Sequence, residues 1–170
     1  MTMPTTLRTF LDSYNIHYDM VIHDHTDNSL QTATAGHIPV RQLAKAVVME
    51  DHDGHHLLAV LPADRKIREK KLSQLLHRDL HMVNESEVEK MFVDCEPGAI
   101  PAIGLAYQME TIIEDSLLSQ SEIFFEAGDH KHLVHMGSDD FKRVTQDCLH
   151  CAFSVSMYDD SPYTTWDYAG

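Results

Sequence analysis

Apolar residues recur along this chain in two periods, one of three to four residues and one of two. The longer period is typical of amphipathic helices and the shorter one of half-buried strands. Helices are therefore predicted at 7–14, 30–35, 72–76, 84–92 and from 138 onward. Strands are predicted at 18–23, 43–49, 56–61, 80–83, 111–113, 122–126 and 132–135. We expect Thr5 or Thr6 to cap the first helix, and Thr26 or Ser29 to cap the second.

A β-hairpin is the strongest local signal. Leu43–Met49 and His56–Leu61 flank the sequence Asp-His-Asp-Gly at 51–54, whose composition suits a tight turn. Longer crossovers elsewhere place helices between strands, so we expect an α/β fold of the α+β kind, with a mixed sheet and helices packed around it. A chain of 170 residues that is 43% hydrophobic supports one core, and we assign this single domain to residues 1–150.

The C-terminal residues 151–170 are predicted to form an acidic, aromatic tail outside this domain. From Ser154 to Gly170 the sequence has no apolar period, and tyrosine, tryptophan and aspartate are interspersed irregularly. Two interpretations stay open. The tail is either disordered or an extended segment whose aromatic rings dock on the domain or on a partner.

Lys45 is a charged residue on an apolar strand face. Alternation along the strand places it on the same side as Leu43, Val47 and Met49, a side that should be buried. A lone buried ammonium is costly, so the side chain must reach water, find a partner or serve a ligand. The residues alone leave two interpretations open: an edge-strand lysine with a solvated tip, and a functional group.

The net charge of −14 disfavours general binding of nucleic acid, DNA included, because an acidic surface repels phosphates. Five of the 13 basic residues nevertheless lie close together: Arg65, Lys66, Arg68, Lys70 and Lys71. This basic cluster is either a solvated helix face or a local phosphate-binding surface.

The sequence has none of the patterns that direct a chain to a membrane or out of the cell. No apolar run approaches the roughly 20 residues that a membrane-spanning helix needs. The N-terminus lacks a signal-peptide pattern, and three cysteines make no disulfide framework. We therefore expect a cytoplasmic protein with no membrane partner.

Two histidine pairs have the spacing of a metal site. His23 with His25, and His130 with His132, each place two imidazoles on one face if they lie on strands, and His135 and Glu126 lie near the second pair in sequence. With 13 histidines in the chain, such pairs also arise by chance. A transition-metal centre is one hypothesis, and unrelated surface histidines are the other.

Residues 97–104 form a loop rich in proline, glycine and alanine. The backbone of such a loop can present N–H and C=O groups to a ligand with little side-chain bulk in the way. An ordinary connection between a helix and a strand has a similar composition. Spacing alone leaves both interpretations open.

Four stretches, taken in order, resemble the YbaK/EbsC family: Leu43–Val48, Leu58–Asp64, Gly98–Gly104, and Phe124–His130 with the Leu-Val pair at 133–134. This family consists of free-standing aminoacyl-tRNA editing domains related to the insertion domain of bacterial prolyl-tRNA synthetases. The resemblance extends over about residues 5–146 and leaves out the C-terminal tail.

The resemblance implies a barrel-like mixed sheet surrounded by helices, and hydrolysis of the ester that joins a wrong amino acid to the 3′ end of a tRNA. It implies no metal and no other cofactor. Lys45 matches the invariant lysine of the family and is the implied catalytic residue, where it holds the aminoacyl or terminal-phosphate group. The implied substrate-binding residues lie in the loop and in a glycine turn: Gly98, Ala99, Ile100, Pro101, Gly104, Gly128 and His130.

The implied partners are the aminoacyl end of tRNA, with the basic cluster touching its phosphates, and an aminoacyl-tRNA synthetase. Family members commonly place the loop proline one position later than Pro101, so the amino acid that is removed stays open. Two other functions remain as hypotheses. One is a non-catalytic binding module on the same fold, and the other is a metal-dependent enzyme built on His130, His132 and His135.

Overall fold

A computed structural model describes residues 3–158. Its helices are α1 Thr5–Ser13, α2 Ser29–Ala35, α3 Glu69–Leu76, α4 Glu85–Met91, α5 Asp115–Leu118 and α6 Ser138–Val144, with 3₁₀ turns at Val40–Gln42 and Gly104–Tyr107. Its strands are β1 Asp19–Ile22, β2 Leu43–Asp51, β3 His56–Pro62, β4 Arg65–Ile67, β5 Leu80–Met82, β6 Glu110–Glu114, β7 Glu122–Glu126, β8 His132–Gly137, β9 Leu149–Cys151 and β10 Ser154–Ser156.

The main sheet has eight strands, in the order β1-β8-β7-β2-β3-β6-β9, with β5 paired to the end of β2. The β2–β3 hairpin and the β1–β8, β7–β8 and β2–β5 pairs are antiparallel, whereas β2–β7, β3–β6 and β6–β9 are parallel. β4 and β10 form a separate two-stranded sheet. The expected mixed sheet with helices packed around it is confirmed.

The hairpin turn between β2 and β3 is closed by Asp51. Its Oδ1 accepts hydrogen bonds from the backbone N–H groups of Asp53 and His55, both at 3.0 Å. Gly54 takes a φ of +83° there, a conformation that glycine adopts at little cost. This turn fixes the hairpin register, in which Lys45 lies opposite Leu61.

The two faces of the sheet carry different cores. On β2, Ala44 and Val48 belong to the larger apolar cluster, which also receives α1 and α6. The alternate residues Leu43 and Met49 belong to two smaller clusters on the opposite face, one of which includes Ala33 of α2. Strand alternation therefore puts Lys45 on the face that α2 covers.

Three local predictions are wrong. Pro4, without a side-chain hydrogen bond, precedes α1 in place of the expected threonine cap. Asn28 caps α2, because its side chain accepts a hydrogen bond from the Gln31 N–H at 3.0 Å. The basic residues from Arg65 begin a strand rather than a helix, since β4 pairs with β10.

The described start of the predicted tail belongs to the fold. Ser154–Ser156 forms strand β10, which pairs with β4. A strand of three residues is too short to show the apolar alternation from which strands are predicted. Residues 159–170, which hold most of the tail's aromatic rings, lie outside the described part of the chain. No helix within residues 3–158 is long and apolar enough to cross a bilayer.

Candidate functional site

Lys45 lies in an inner strand, because β2 is bordered by β7 on one side and β3 on the other. The edge-strand interpretation is therefore wrong. Its ammonium is half-buried, with Nζ 3.4 Å from the carbonyl oxygen of Ala63 and 3.8 Å from the sulfur of Met157. Burial lowers the pKa of Lys45, and the charge of Asp64 raises it in part. Among the described residues, these two long contacts leave the ammonium with at least one N–H donor that has no partner.

Glu126 is the second charged residue on this face of the sheet. β7 runs parallel to β2 with Leu43 beside Phe124 and Ala44 beside Phe125, and Lys45 and Glu126 are the residues that follow this paired stretch on the two strands. The Glu126 side chain is 9% exposed. Burial raises the pKa of this carboxyl to about 7, against the lowering effects of His130 and Thr32.

Helix α2 supplies one hydrogen bond to Glu126, from Thr32. The Thr32 hydroxyl lies 3.2 Å from Glu126 Oε1 and 2.6 Å from the hydroxyl of Thr26. The other carboxyl oxygen, Oε2, is buried and has no hydrogen-bond partner among the described residues. Sequence reasoning named Glu126 only beside the histidine pairs of the metal hypothesis and not as a residue of the editing site. The signal was present, because alternation places it on the same face as Phe124, just as it places Lys45 beside Leu43.

The tip of the 97–104 loop is tied to the turn between β7 and β8. His130 Nε2 lies 2.5 Å from the carbonyl oxygen of Pro97, and the Glu96 N–H donates to the carbonyl of Gly128 at 2.7 Å. Gly98 has a φ of +79°, and a Cβ there would lie 3.4 Å from His130 Cε1. The structure thus brings Gly98, Gly128 and His130 together.

Asp129 builds the turn that holds His130. Its Oδ1 accepts from the backbone N–H groups of Lys131 at 3.0 Å and His132 at 2.9 Å. Gly128 has a φ of +107°, and a Cβ there would lie 2.8 Å from Pro4 Cγ. His130 itself has a φ of +59°, which is uncommon for a residue other than glycine. Packing on several sides therefore fixes this turn.

A comparison with known protein families identifies the domain that contains Lys45, the 97–104 loop and the turn at His130. The family described as the aminoacyl-tRNA editing domain matches residues 23–144. The chain belongs to the aminoacyl-tRNA editing domain family. That range includes Lys45, the loop and the turn at His130. No match was found among curated proteins.

Solved structures share the fold of this editing domain at low sequence identity. The hypothetical protein APE2540 is 14% identical with a TM-score of 0.79, covering 88% of this chain and 99% of its own. A candidate trans-editing enzyme for prolyl tRNA synthetase is 17% identical with a TM-score of 0.76, covering 89% and 96%. A candidate signal transduction protein from Marinobacter aquaeolei VT8 is 18% identical with a TM-score of 0.77, covering 93% of this chain and 32% of its own.

Within the editing domain, the predicted loop residues divide between surface and core. Gly98 is exposed and Ile100 is half-buried, whereas Ala99, Pro101 and Gly104 are buried. Ile100 borders a cavity of about 210 Å³. The middle of β2, between the residues that pair with β7 and those that pair with β5, forms another wall of this cavity. The apolar lining also includes Ala46, Val47, Val48, Val88 and Phe92.

Gly104 packs inside the editing domain. A Cβ at this position would lie 2.1 Å from Thr111 Oγ1 and 3.1 Å from Leu58 Cδ2. We expect Gly104→Ala to lower the free energy of unfolding by about 1–3 kcal/mol, the usual effect of overpacking a core. Urea unfolding measures this change. Gly137→Ala is the matched control, because no atom of residues 3–158 lies within 4 Å of its Cβ position. Equal losses of stability in the two variants would contradict the packing role of Gly104.

The basic cluster does not form one surface. Arg65 is held by Ser154, whose hydroxyl accepts from Nε at 2.7 Å and whose carbonyl accepts from Nη2 at 2.8 Å. Lys66 is exposed and, by strand alternation, projects to the other side of β4. Arg68 directly precedes α3 and makes no capping hydrogen bond with its side chain, and Lys70 and Lys71 lie in the first turn of the helix. Lys66 and Lys70 are the exposed pair.

The three histidines of the metal hypothesis have separate partners. His130 contacts the Pro97 carbonyl, His132 Nδ1 pairs with Asp129, and His135 lies between Asp19 and Glu122. The donor group that does come together within residues 3–158 is Asp51, Asp53 and His55. That group lies at the hairpin turn, where the Asp51 carboxylate already accepts backbone N–H groups. The described geometry does not support a metal centre at the three histidines.

Proposed function

We propose that this editing domain hydrolyses the ester between an amino acid and the 3′ end of a mischarged tRNA. The observation that carries the proposal is the half-buried Lys45 ammonium on the face that also holds Glu126, in a domain of the aminoacyl-tRNA editing family. A half-buried positive charge acts more strongly on phosphate or carbonyl oxygens than a fully exposed one, because less water screens it.

The reaction needs few chemical groups from the protein. An aminoacyl ester is already activated, so positioning a water and stabilising the developing oxyanion are enough to accelerate its hydrolysis. The water oxygen bonds to the ester carbonyl carbon, the bond from that carbon to the ribose oxygen breaks, and the ribose oxygen takes up a proton. The exposed backbone at Pro97 and Gly98 is suited to face the ester, and the ribose 2′-hydroxyl of the substrate can orient the water.

Deacylation of a panel of mischarged tRNAs tests this function directly. We expect the wild-type protein to release at least one amino acid faster than the spontaneous rate, and a chelator to leave that rate unchanged. The likeness to a candidate trans-editing enzyme for prolyl tRNA synthetase makes mischarged tRNA(Pro) the first member of the panel. Tight binding of every tRNA without release would instead support a binding module.

We expect the exposed basic pair to contact tRNA phosphates. Replacing Lys66 and Lys70 by glutamine should weaken tRNA binding. The plot of the logarithm of the binding constant against the logarithm of the salt concentration should also become less steep, by about 0.7 to 0.9 for each phosphate that the variant no longer neutralises. Fluorescence titration at several salt concentrations measures the slope. Lys142→Gln is the control, because α6 packs against the other core. An unchanged slope in the double variant would make the pair a plain solvated surface.

A further inference from the structure

The apolar cavity beside the 97–104 loop adjoins the backbone that faces the ester in the proposed hydrolysis. Its volume is about 210 Å³, and its lining includes Pro97 and Gly98 together with the middle of β2 and one side of α4. A cavity of about 150 Å³ lined by aliphatic and aromatic side chains holds a benzene molecule. The cavity therefore has room for a large apolar side chain.

The walls of this cavity are aliphatic and aromatic. Val47 and Val48 come from β2, Val88 from α4, Phe92 from the end of that helix and Ile100 from the loop. Val47, Val88 and Ile100 are half-buried, and Phe92 is buried. An apolar group that enters removes apolar surface from water, whereas a small group leaves space in which the walls lack contacts.

β2 turns unpaired backbone toward the cavity. Its pairing with β7 ends at Ala44 and its pairing with β5 begins at Met49. The Val48 carbonyl accepts from the Val83 N–H at 3.0 Å, on the edge of β2 away from β3. Backbone groups alternate between the two edges of such a strand, so Ala46 has its N–H and C=O on the same edge as that carbonyl. Among the described strands, none pairs with Ala46 there.

The charged groups at the lining are acidic. Glu85, Glu89 and Glu96 are exposed and border the cavity, and no basic residue of 3–158 borders it. An aminoacyl ester has an α-amino group that carries a positive charge near neutral pH. The glutamates attract this ammonium and repel a side-chain carboxylate.

We propose that the cavity receives the amino acid of the ester, and that the substrates are tRNAs charged with a neutral amino acid whose side chain is a large aliphatic group or an aromatic ring. The inference rests on the proposed function, in which Pro97 and Gly98 face the ester. The side chain packs against Val47, Val88 and Ile100. The α-ammonium donates to the Ala46 carbonyl at the mouth of the cavity.

The first test is the order of reactivity among amino acids on one tRNA. We expect the faster of the leucyl and phenylalanyl esters of tRNA(Pro) to exceed the alanyl ester by about 10-fold or more in kcat/KM, because a single methylene group in an apolar pocket already changes this ratio by that much. The aspartyl ester should be slower still. An alanyl ester that reacts faster than both large apolar esters would overturn the proposal.

The second test changes the size of the cavity at Val88. Val88→Phe should lower the ratio of leucyl to alanyl kcat/KM by about 10-fold to 100-fold, because the new ring occupies the space of the substrate side chain. Val88→Ala should raise the ratio of phenylalanyl to leucyl kcat/KM, and it decides the question if Val88→Phe does not fold. Thermal unfolding checks both variants.

Val93→Phe is the matched control for the larger variant. Val93 follows α4 directly, is 84% exposed and does not line the cavity. The same added ring should therefore leave the leucyl-to-alanyl ratio unchanged. Equal ratios in Val88→Phe and Val93→Phe would reject the cavity as the binding place of the side chain.

The third test needs no deacylation and separates the failure of this inference from that of the proposed function. In NMR titrations of the full chain with L-leucinamide, which has the ammonium and side chain but no ester, we expect saturable shifts at the methyl groups of Val47, Val88 and Ile100 and at the Ala46 amide. N-acetyl-L-leucinamide, which lacks the ammonium, and L-alaninamide should bind more weakly.

The outcomes are distinct for the two proposals. A wild-type protein that deacylates nothing would reject the proposed function, while the L-leucinamide shifts would still decide whether the cavity takes an apolar amino acid. An active wild type with no shifts at Val47, Val88 and Ile100 would reject the role of the cavity alone.

Discussion

Lys45→Ala is expected to lower kcat/KM for deacylation by about 100-fold to 1,000-fold, the loss typical for a single group that stabilises a developing oxyanion. Among residues 3–158, the half-buried ammonium has a 3.4 Å contact with the Ala63 carbonyl and a contact with the Met157 sulfur, and no closer one. Its charge is therefore available to a substrate. Single-turnover deacylation of the best substrate in the panel measures the effect.

Two further substitutions separate charge from packing at this position. Lys45→Met keeps most of the side-chain stem and removes the charge, so we expect the same loss of activity with stability at or above that of the wild type, because burial of an ammonium is costly. Lys142→Ala, on α6, should leave the rate unchanged. A Lys45→Met variant that deacylates at the wild-type rate would remove Lys45 from the mechanism.

Gly98→Ala is the second substitution with a large expected effect. A residue with a side chain is strained at the φ of +79°, and its Cβ would lie 3.4 Å from the His130 ring. We expect kcat/KM to fall by about 10-fold to 100-fold, since a small displacement of the loop misplaces the ester. The free energy of unfolding should fall by only about 1 kcal/mol.

Gly54→Ala supplies the matched control for this prediction. Gly54 has nearly the same backbone conformation, with a φ of +83°, but no described residue lies within 4 Å of its Cβ position at the hairpin turn. The two variants should therefore lose similar stability, and only Gly98→Ala should lose activity. Equal rates in the two variants would mean that the loop tip does not face the substrate.

Alternation along strands predicts the side of the sheet on which Lys45 lies, because the period of two is set by backbone geometry alone. The same rule applied to β7 places Glu126 on that side too. Its importance depends on burial and on Thr32, which is 94 residues away in the chain. Sequence spacing does not contain such a contact. The sheet face that carries Lys45 and Glu126 was thus predictable from the sequence. The burial of Glu126 and its contact with Thr32 were not.

The loop shows a similar limit. Its composition predicts an irregular segment with exposed backbone, and Gly98 has that character. Pro101 and Gly104 are buried, however, because the chain enters the core before β6, where Gly104 packs against Thr111. The pairing of β4 with β10 also depends on contacts between residues distant in sequence. Three-residue strands of this kind have too few residues for a period to appear.

The contact of Pro4 with the turn at Gly128 and that of Met157 with Lys45 have a practical consequence for anyone who prepares this protein. A purification tag attached near either residue would lie within reach of the groups whose reactivity is to be measured. Activity and titration should therefore be compared between protein with its tag removed and protein tagged at the opposite end. A difference between the two preparations would report on the site itself rather than on purity.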